Sequence, residues 1–139
     1  MPDLEGSQTH ANLAAAFGRE SQARSRYLWF AQAADVDGRP DLADMFRTIA
    51  DARTGQVNGL LEHLADSGDP LTGEPIGDTD DNLRAAVVGE THGASERYPA
   101  FAATARAEGF ESVAEWFEAL GRAERRYAEQ LRSGPDPVG

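Results

Sequence analysis

Cysteine is absent from this 139-residue chain. Its absence removes disulfides, thiolate zinc sites, iron–sulfur clusters and cysteine nucleophiles from consideration. Basic residues are scarce beside acidic ones, 13 Lys and Arg against 24 Asp and Glu, which leaves a formal charge of −11. A surface of that sign repels phosphate backbones, so nucleic acid is not an expected partner. Long apolar runs are also missing. None approaches the roughly 20 residues that span a bilayer, so no membrane association is expected. The opening Met1-Pro2-Asp3-Leu4-Glu5 is acidic and lacks the apolar centre of a secretory signal, which makes the cytoplasm the expected compartment. What remains suffices for a folded domain. Hydrophobic residues supply 40% of the chain and charged residues 27%, ordinary values for a globular protein with a core. The length fits a single domain over 1–139.

Turn-forming residues break the chain in few places: Asp37-Gly38-Arg39-Pro40, Ser67 through Asp78, Glu108-Gly109, and Ser133-Gly134-Pro135. The segments between them carry apolar residues at helical spacing, and none alternates as a strand would. Leu13, Phe17, Tyr27, Leu28 and Phe30 mark the first, and Leu42, Phe46, Ile49, Val57 and Leu60 the second. Leu83, Val87, Tyr98 and Phe101 mark the third, and Val113, Trp116, Phe117 and Leu120 the fourth. Helices are therefore expected at about 8–36, 40–66, 79–107 and 110–132, with a crossover at 67–78 and a tail at 133–139. Thr9 and Thr79 are the expected N-caps, and Pro40 suits a first helical turn. Gly38 and Gly109 suit C-terminal breaks, and Pro99 is expected to kink the third helix.

Tight breaks make the first two helices one antiparallel hairpin and the last two another. A connection of about twelve residues can reach about 40 Å, the length of a helix of about 27 residues. A four-helix bundle with one long crossover is the ferritin-like arrangement. An internal repeat supports the pairing. An offset of 70 superposes Asn12-Leu13 on Asn82-Leu83 and Glu20 on Glu90. An offset of 71 superposes Tyr27 on Tyr98, Phe30 on Phe101, Gly38 on Gly109 and Phe46 on Phe117. The two hairpins are duplicates with a one-residue slip, expected near Pro99.

Glu20 and Glu90 are the matched carboxylates of this repeat, each one turn beyond an apolar position (Phe17 and Val87). Buried carboxylates need a partner or a metal, and inward acidic and histidine side chains build dinuclear sites in such bundles, with Glu-x-x-His on two of the helices. The equivalent positions here are Arg53-x-x-Gln56 and Glu124-x-x-Tyr127, and neither is intact.

The string Glu20-Ser21-Gln22-Ala23-Arg24-Ser25-Arg26-Tyr27 resembles the first helix of rubrerythrins. Gly89-Glu90-Thr91-His92, Arg97-Tyr98-Pro99-Ala100-Phe101-Ala102 and Ala107-Glu108-Gly109-Phe110 resemble their third. The resemblance implies a ferritin-like diiron protein that reduces hydrogen peroxide. Most members carry an added rubredoxin domain, and with no cysteine none is expected here. Family ligands carry over at Glu20, Glu90 and Glu124. The other ligand positions fall on Arg53, Gln56, Gly93 and Tyr127. Arginine stays protonated and does not serve as a metal ligand. Arg53 is instead expected to bridge Glu20, Glu90 or Glu124 by charge-assisted hydrogen bonds.

The leading expectation is a member that has lost its diiron centre and is not a peroxidase. Its central polar cluster of Glu20, Arg53, Gln56, Glu90, Glu124 and Tyr127 would bind or act on a small molecule, with a carboxylate as acid or base. Gly93 and Gly55 would leave room for that ligand, or Gly55-x-x-x-Gly59 would permit close helix packing. No cofactor is expected on this reading. The first alternative is an oxidoreductase holding iron or manganese through Glu20, Glu90 and Glu124. The second is a non-catalytic structural or interaction protein. Tyr27 and Tyr98 match the family's tyrosines near the iron site and are expected to hydrogen-bond central carboxylates. His10, His63 and His92 do not converge and are expected on the surface. Trp29, Trp116, Phe46 and Phe117 are expected in the core or in the interface of a homodimer, the assembly that the resemblance implies.

Overall fold

The computed structural model describes residues 3–135, so the end of the expected tail, 136–139, lies outside the described residues. Every regular element among them is helical. The chain divides into two compact units, one ending at Pro70 and the next beginning at Leu71. Each unit is a helical hairpin.

The first hairpin pairs α1 (Gln8–Val36) with α2 (Pro40–Leu64), followed by a 3₁₀ turn at Ala65–Ser67. The cap of α1 is Ser7 rather than Thr9. Ser7 holds an extended backbone (φ −83°, ψ 163°) and its Oγ accepts from the His10 N–H at 3.0 Å. Thr9 lies one residue inside the helix, where its own backbone is already helical and cannot cap. The same correction applies at Thr79, since Asp78 is the extended residue there and accepts from the Asp81 N–H at 2.8 Å.

The second hairpin contains α3 (Thr79–His92), a π-helical segment (Gly93–Arg97), α4 (Tyr98–Ala107) and α5 (Glu111–Ser133). The third predicted helix is thus not one α-helix kinked at Pro99. Pro99 is the second residue of α4, where a missing N–H is harmless. The distortion precedes it: the Tyr98 N–H reaches back five residues to the Gly93 carbonyl. A π turn inserts one residue without shifting the helix faces that flank it. That insertion accounts for the slip in the repeat. Glu90 lies before the segment at an offset of 70, and Tyr98 lies after it at 71.

The two interhelical turns are copies. Gly38 and Gly109 take positive φ (72° and 89°), which lets the Arg39 and Phe110 N–H groups bond back to Ala34 and Ala105, each at 2.8 Å. The cores are copies as well. Ala31, Ala34 and Ala43 are buried beside Phe46, and Ala102, Ala105 and Ala114 beside Phe117. Tyr27, Phe30 and Phe46 form a ring triad with centroids 5.6–5.8 Å apart, and Tyr98, Phe101 and Phe117 form its counterpart at 5.4–6.2 Å. Alanines at the contact let paired helices approach closely, and the rings fill what they leave.

Ahead of α3, the connector folds back along that helix. A Cβ placed on Gly89 would touch Thr72 Cγ2 at 3.5 Å and Leu71 Cδ2 at 3.6 Å. The Gly77 N–H bonds to Asn82 Oδ1 at 2.8 Å. Those anchors lie about 10 Å apart along the helix.

Candidate functional site

In the first hairpin the antiparallel pairing sets Glu20 of α1 level with Arg53 of α2. Arg53 Nε donates to Glu20 Oε2 at 2.8 Å, with the two side chains only 21% and 26% exposed. The guanidinium carbon stands 4.7 Å above the centre of the Tyr27 ring. Salt bridge and ring face together fix the cation, and a planar guanidinium suits both. Arg53 Nη1 is buried and has no hydrogen-bond partner among the described residues. Gln56, one turn further along α2, is exposed.

In the second hairpin Glu90 lies on α3, with Oε2 buried and lacking a partner among the described residues. Glu90 borders an open cleft of about 530 Å³, walled by Leu83, Ala86, Gln130 and Leu131, with the half-exposed Tyr127 beside it. The repeat explains the orphaned oxygen. Glu124 occupies the place that Arg53 holds in the first hairpin, an offset of 71. The cation that satisfies Glu20 has a carboxylate as its counterpart.

The glycines behave differently from expectation. A Cβ on Gly93 would stand 3.1 Å from both Cδ and Oε2 of Glu124. The space left at Gly93 is therefore taken up by the Glu124 carboxyl group rather than held open for a ligand. Cβ atoms on Gly55 and Gly59 would meet nothing within 4 Å among the described residues. Tyr27 and Tyr98 act through their rings. Tyr98 stacks on Phe117 at 6.2 Å, and neither hydroxyl bonds a carboxylate among the described residues. Each ring is a member of its hairpin's aromatic triad. His92 pairs on the surface with Glu96 at 3.0 Å. Trp29 and Trp116 are each 65% exposed and lie outside the buried clusters of the described residues, whereas Phe46 and Phe117 pack against those clusters. Among the described residues no group of three or more His, Asp or Glu side chains is placed to hold a metal ion. No described helix is long and apolar enough to cross a membrane.

Paired α-hairpins with matched carboxylates on their first helices, joined by a long connector, define an all-α protein of the ferritin-like four-helix-bundle class. The particular family follows from comparison with known proteins. The rubrerythrin family model matches residues 11–67 and 72–134. The chain is 39% identical to rubrerythrin of Nitratidesulfovibrio vulgaris, over 94% of this chain and 71% of that protein. It is 37% identical to rubrerythrin of Porphyromonas gingivalis, over 92% and 68% of the two chains. It is 32% identical to rubrerythrin-1 of Clostridium acetobutylicum, over 96% and 72%. The chain belongs to the rubrerythrin family.

Proposed function

We propose that this rubrerythrin-family protein has exchanged its diiron chemistry for the binding of a small molecule in a remodelled polar centre. The observation that carries this reading is the 2.8 Å bond from Arg53 to Glu20. The family normally binds iron. Two iron ions need several anionic or imidazole ligands to offset their charge. Here a fixed cation donates into one of the remaining carboxylates, Gln56 and Tyr127 stand where the resemblance puts histidines, and Gly93 offers no side chain. This donor set does not fit a diiron centre. Arg53 gives Glu20 a partner in place of a metal. Glu90 and Tyr127 give the 530 Å³ cleft an acidic and a phenolic group on otherwise largely apolar walls, the usual composition of a small-molecule site. A carboxyl group so placed is suited to general acid–base work. A cytoplasmic homodimer is the setting proposed for it.

A second reading draws on the buried, unpartnered Glu90 Oε2, an acceptor suited to a cation. On that reading Glu20, Glu90 and Glu124 hold iron or manganese and the protein is an oxidoreductase. Elemental analysis of the desalted protein after anaerobic incubation with Fe(II) or Mn(II) separates the two. Metal close to zero is the expected result. About two ions per chain overturns the proposal and restores oxidoreductase chemistry.

A further inference from the structure

A second notch lies in the groove between α1 and α2, distinct from the Glu20–Arg53 pair. It has a volume of about 310 Å³ and is lined by Ser21, Arg24, Ser25, Thr54, Val57 and Asn58. Its lining contains no acidic residue, in a chain whose net charge is −11. Every lining residue except Val57 carries a side-chain hydrogen-bond donor.

Only one of these donors is engaged among the described residues. Arg24 Nε donates to Thr54 Oγ1 at 3.2 Å, which anchors the guanidinium by one corner and leaves both Nη groups without a partner among the described residues. Arg24, like several other arginines of the chain, pairs with no carboxylate among the described residues; what sets it apart is the bond that holds it against Thr54 in the notch. The hydroxyls of Thr48, Ser95 and Ser133 donate to carbonyls one turn back in their helices. Those of Ser21, Ser25 and Thr54 make no such bond among the described residues. Thr54 only accepts, from Arg24, so its own proton remains available.

We propose that this notch is a binding site for a phosphate group, either inorganic phosphate or the phosphate of a small monoester. A guanidinium fork binds phosphate by paired hydrogen bonds. Three hydroxyls and an amide arranged around it offer more donors than the two oxygens of a carboxylate can use, and the three terminal oxygens of a phosphate match them better. The acidity of the rest of the molecule does not forbid an anion here. Charges beyond about 8 Å are largely screened at physiological ionic strength, and the adjacent Glu20 is already neutralised by Arg53. The proposal is independent of the polar-centre reading, because it uses neither Glu90 nor the loss of metal.

The test is a nuclear magnetic resonance titration of the whole ¹⁵N-labelled chain with inorganic phosphate, ionic strength held constant with chloride and acetate titrated in parallel. Saturable shifts are expected at residues 21–25 and 54–58. R24Q is expected to weaken binding at least about tenfold. R24K, which keeps the charge without the fork, falls between. Thr54→Val retains the charge and frees the guanidinium, and weakens binding about threefold. It decides the matter should R24Q fail to fold. Absence of clustered shifts at about 20 mM phosphate, or unchanged binding in both R24Q and Thr54→Val, overturns the site. Acetate saturating the notch as tightly as phosphate overturns the assignment to phosphate.

Discussion

In the first hairpin Asp35 of α1 pairs with Arg47 of α2; at the equivalent places of the second, Arg106 of α4 pairs with Glu118 of α5 at 2.5 Å. The bridge has been kept and its signs exchanged. The ring triads and the alanine contacts have been kept outright. Close packing explains the difference. A core position accepts only the volume that fits it, so Phe46 and Phe117 persist. An ion pair near the surface works in either polarity. Arg53 and Glu124 depart from this pattern. Their exchange of sign was not compensated at the partner, because Glu20 and Glu90 are both carboxylates. One hairpin therefore has a completed ion pair, and the other has two acids and a buried oxygen without a donor. The skeleton of the repeat was held by packing while its chemistry diverged between the halves.

The largest test of that asymmetry exchanges the charges. Arg53→Ala is expected to destabilise by about 2 kcal/mol in urea denaturation, below the figure for a wholly buried pair because both side chains are partly exposed. Glu124→Arg gives the second hairpin the pattern of the first and is expected to stabilise by about 1 kcal/mol. Destabilisation by Glu124→Arg comparable to that of Arg53→Ala would break the comparison.

A smaller effect is expected at the glycines. Gly55→Ala and Gly59→Ala enter open space in a helix and should each stabilise by about 0.5–1 kcal/mol. Gly93→Ala should show none of that gain, since the new methyl meets Glu124 at 3.1 Å. Thermal melts of the three variants measure the contrast.

The smallest effect is electrostatic and exposed. Hydrogen bonds from Arg106 hold the Glu111 carboxyl below its ordinary value. A carboxyl group depressed on folding favours the folded state at neutral pH, and that contribution fades as pH falls through the acidic range. Glu111→Gln is expected to flatten the acid limb of the melting-temperature profile slightly, with little change above neutrality.

Much of the fold was legible because apolar periodicity and punctuation agreed. The expected first helix, 8–36, coincides with α1, and the second and fourth are displaced by one or two residues at their ends. The caps were misplaced because Ser7 and Thr9 are both good capping residues, and only backbone geometry chooses between them. The π segment left one trace, the change of offset from 70 to 71, which marks a slip between Glu90 and Tyr98 without saying which residues absorb it. That Arg53 bridges one of Glu20, Glu90 and Glu124 was legible in the sequence; the choice of Glu20 was not, because it depends on how α1 and α2 register against each other. The occupation of Gly93 by Glu124 was not, because a repeat marks positions and says nothing of how far a side chain reaches. The Arg24 notch was hidden inside the very string that carries the family resemblance.

The wide turn between α3 and α4 makes the helix tolerant of length. Adding a residue to an ordinary α-helix rotates everything beyond it by about 100° and turns a buried face outward. Between Gly93 and Arg97 the chain accommodates its additional residue locally, so Tyr98, Phe101 and Ala105 hold the same faces as Tyr27, Phe30 and Ala34. One half of a duplicated protein has thereby changed in length while the packing on either side kept its phase.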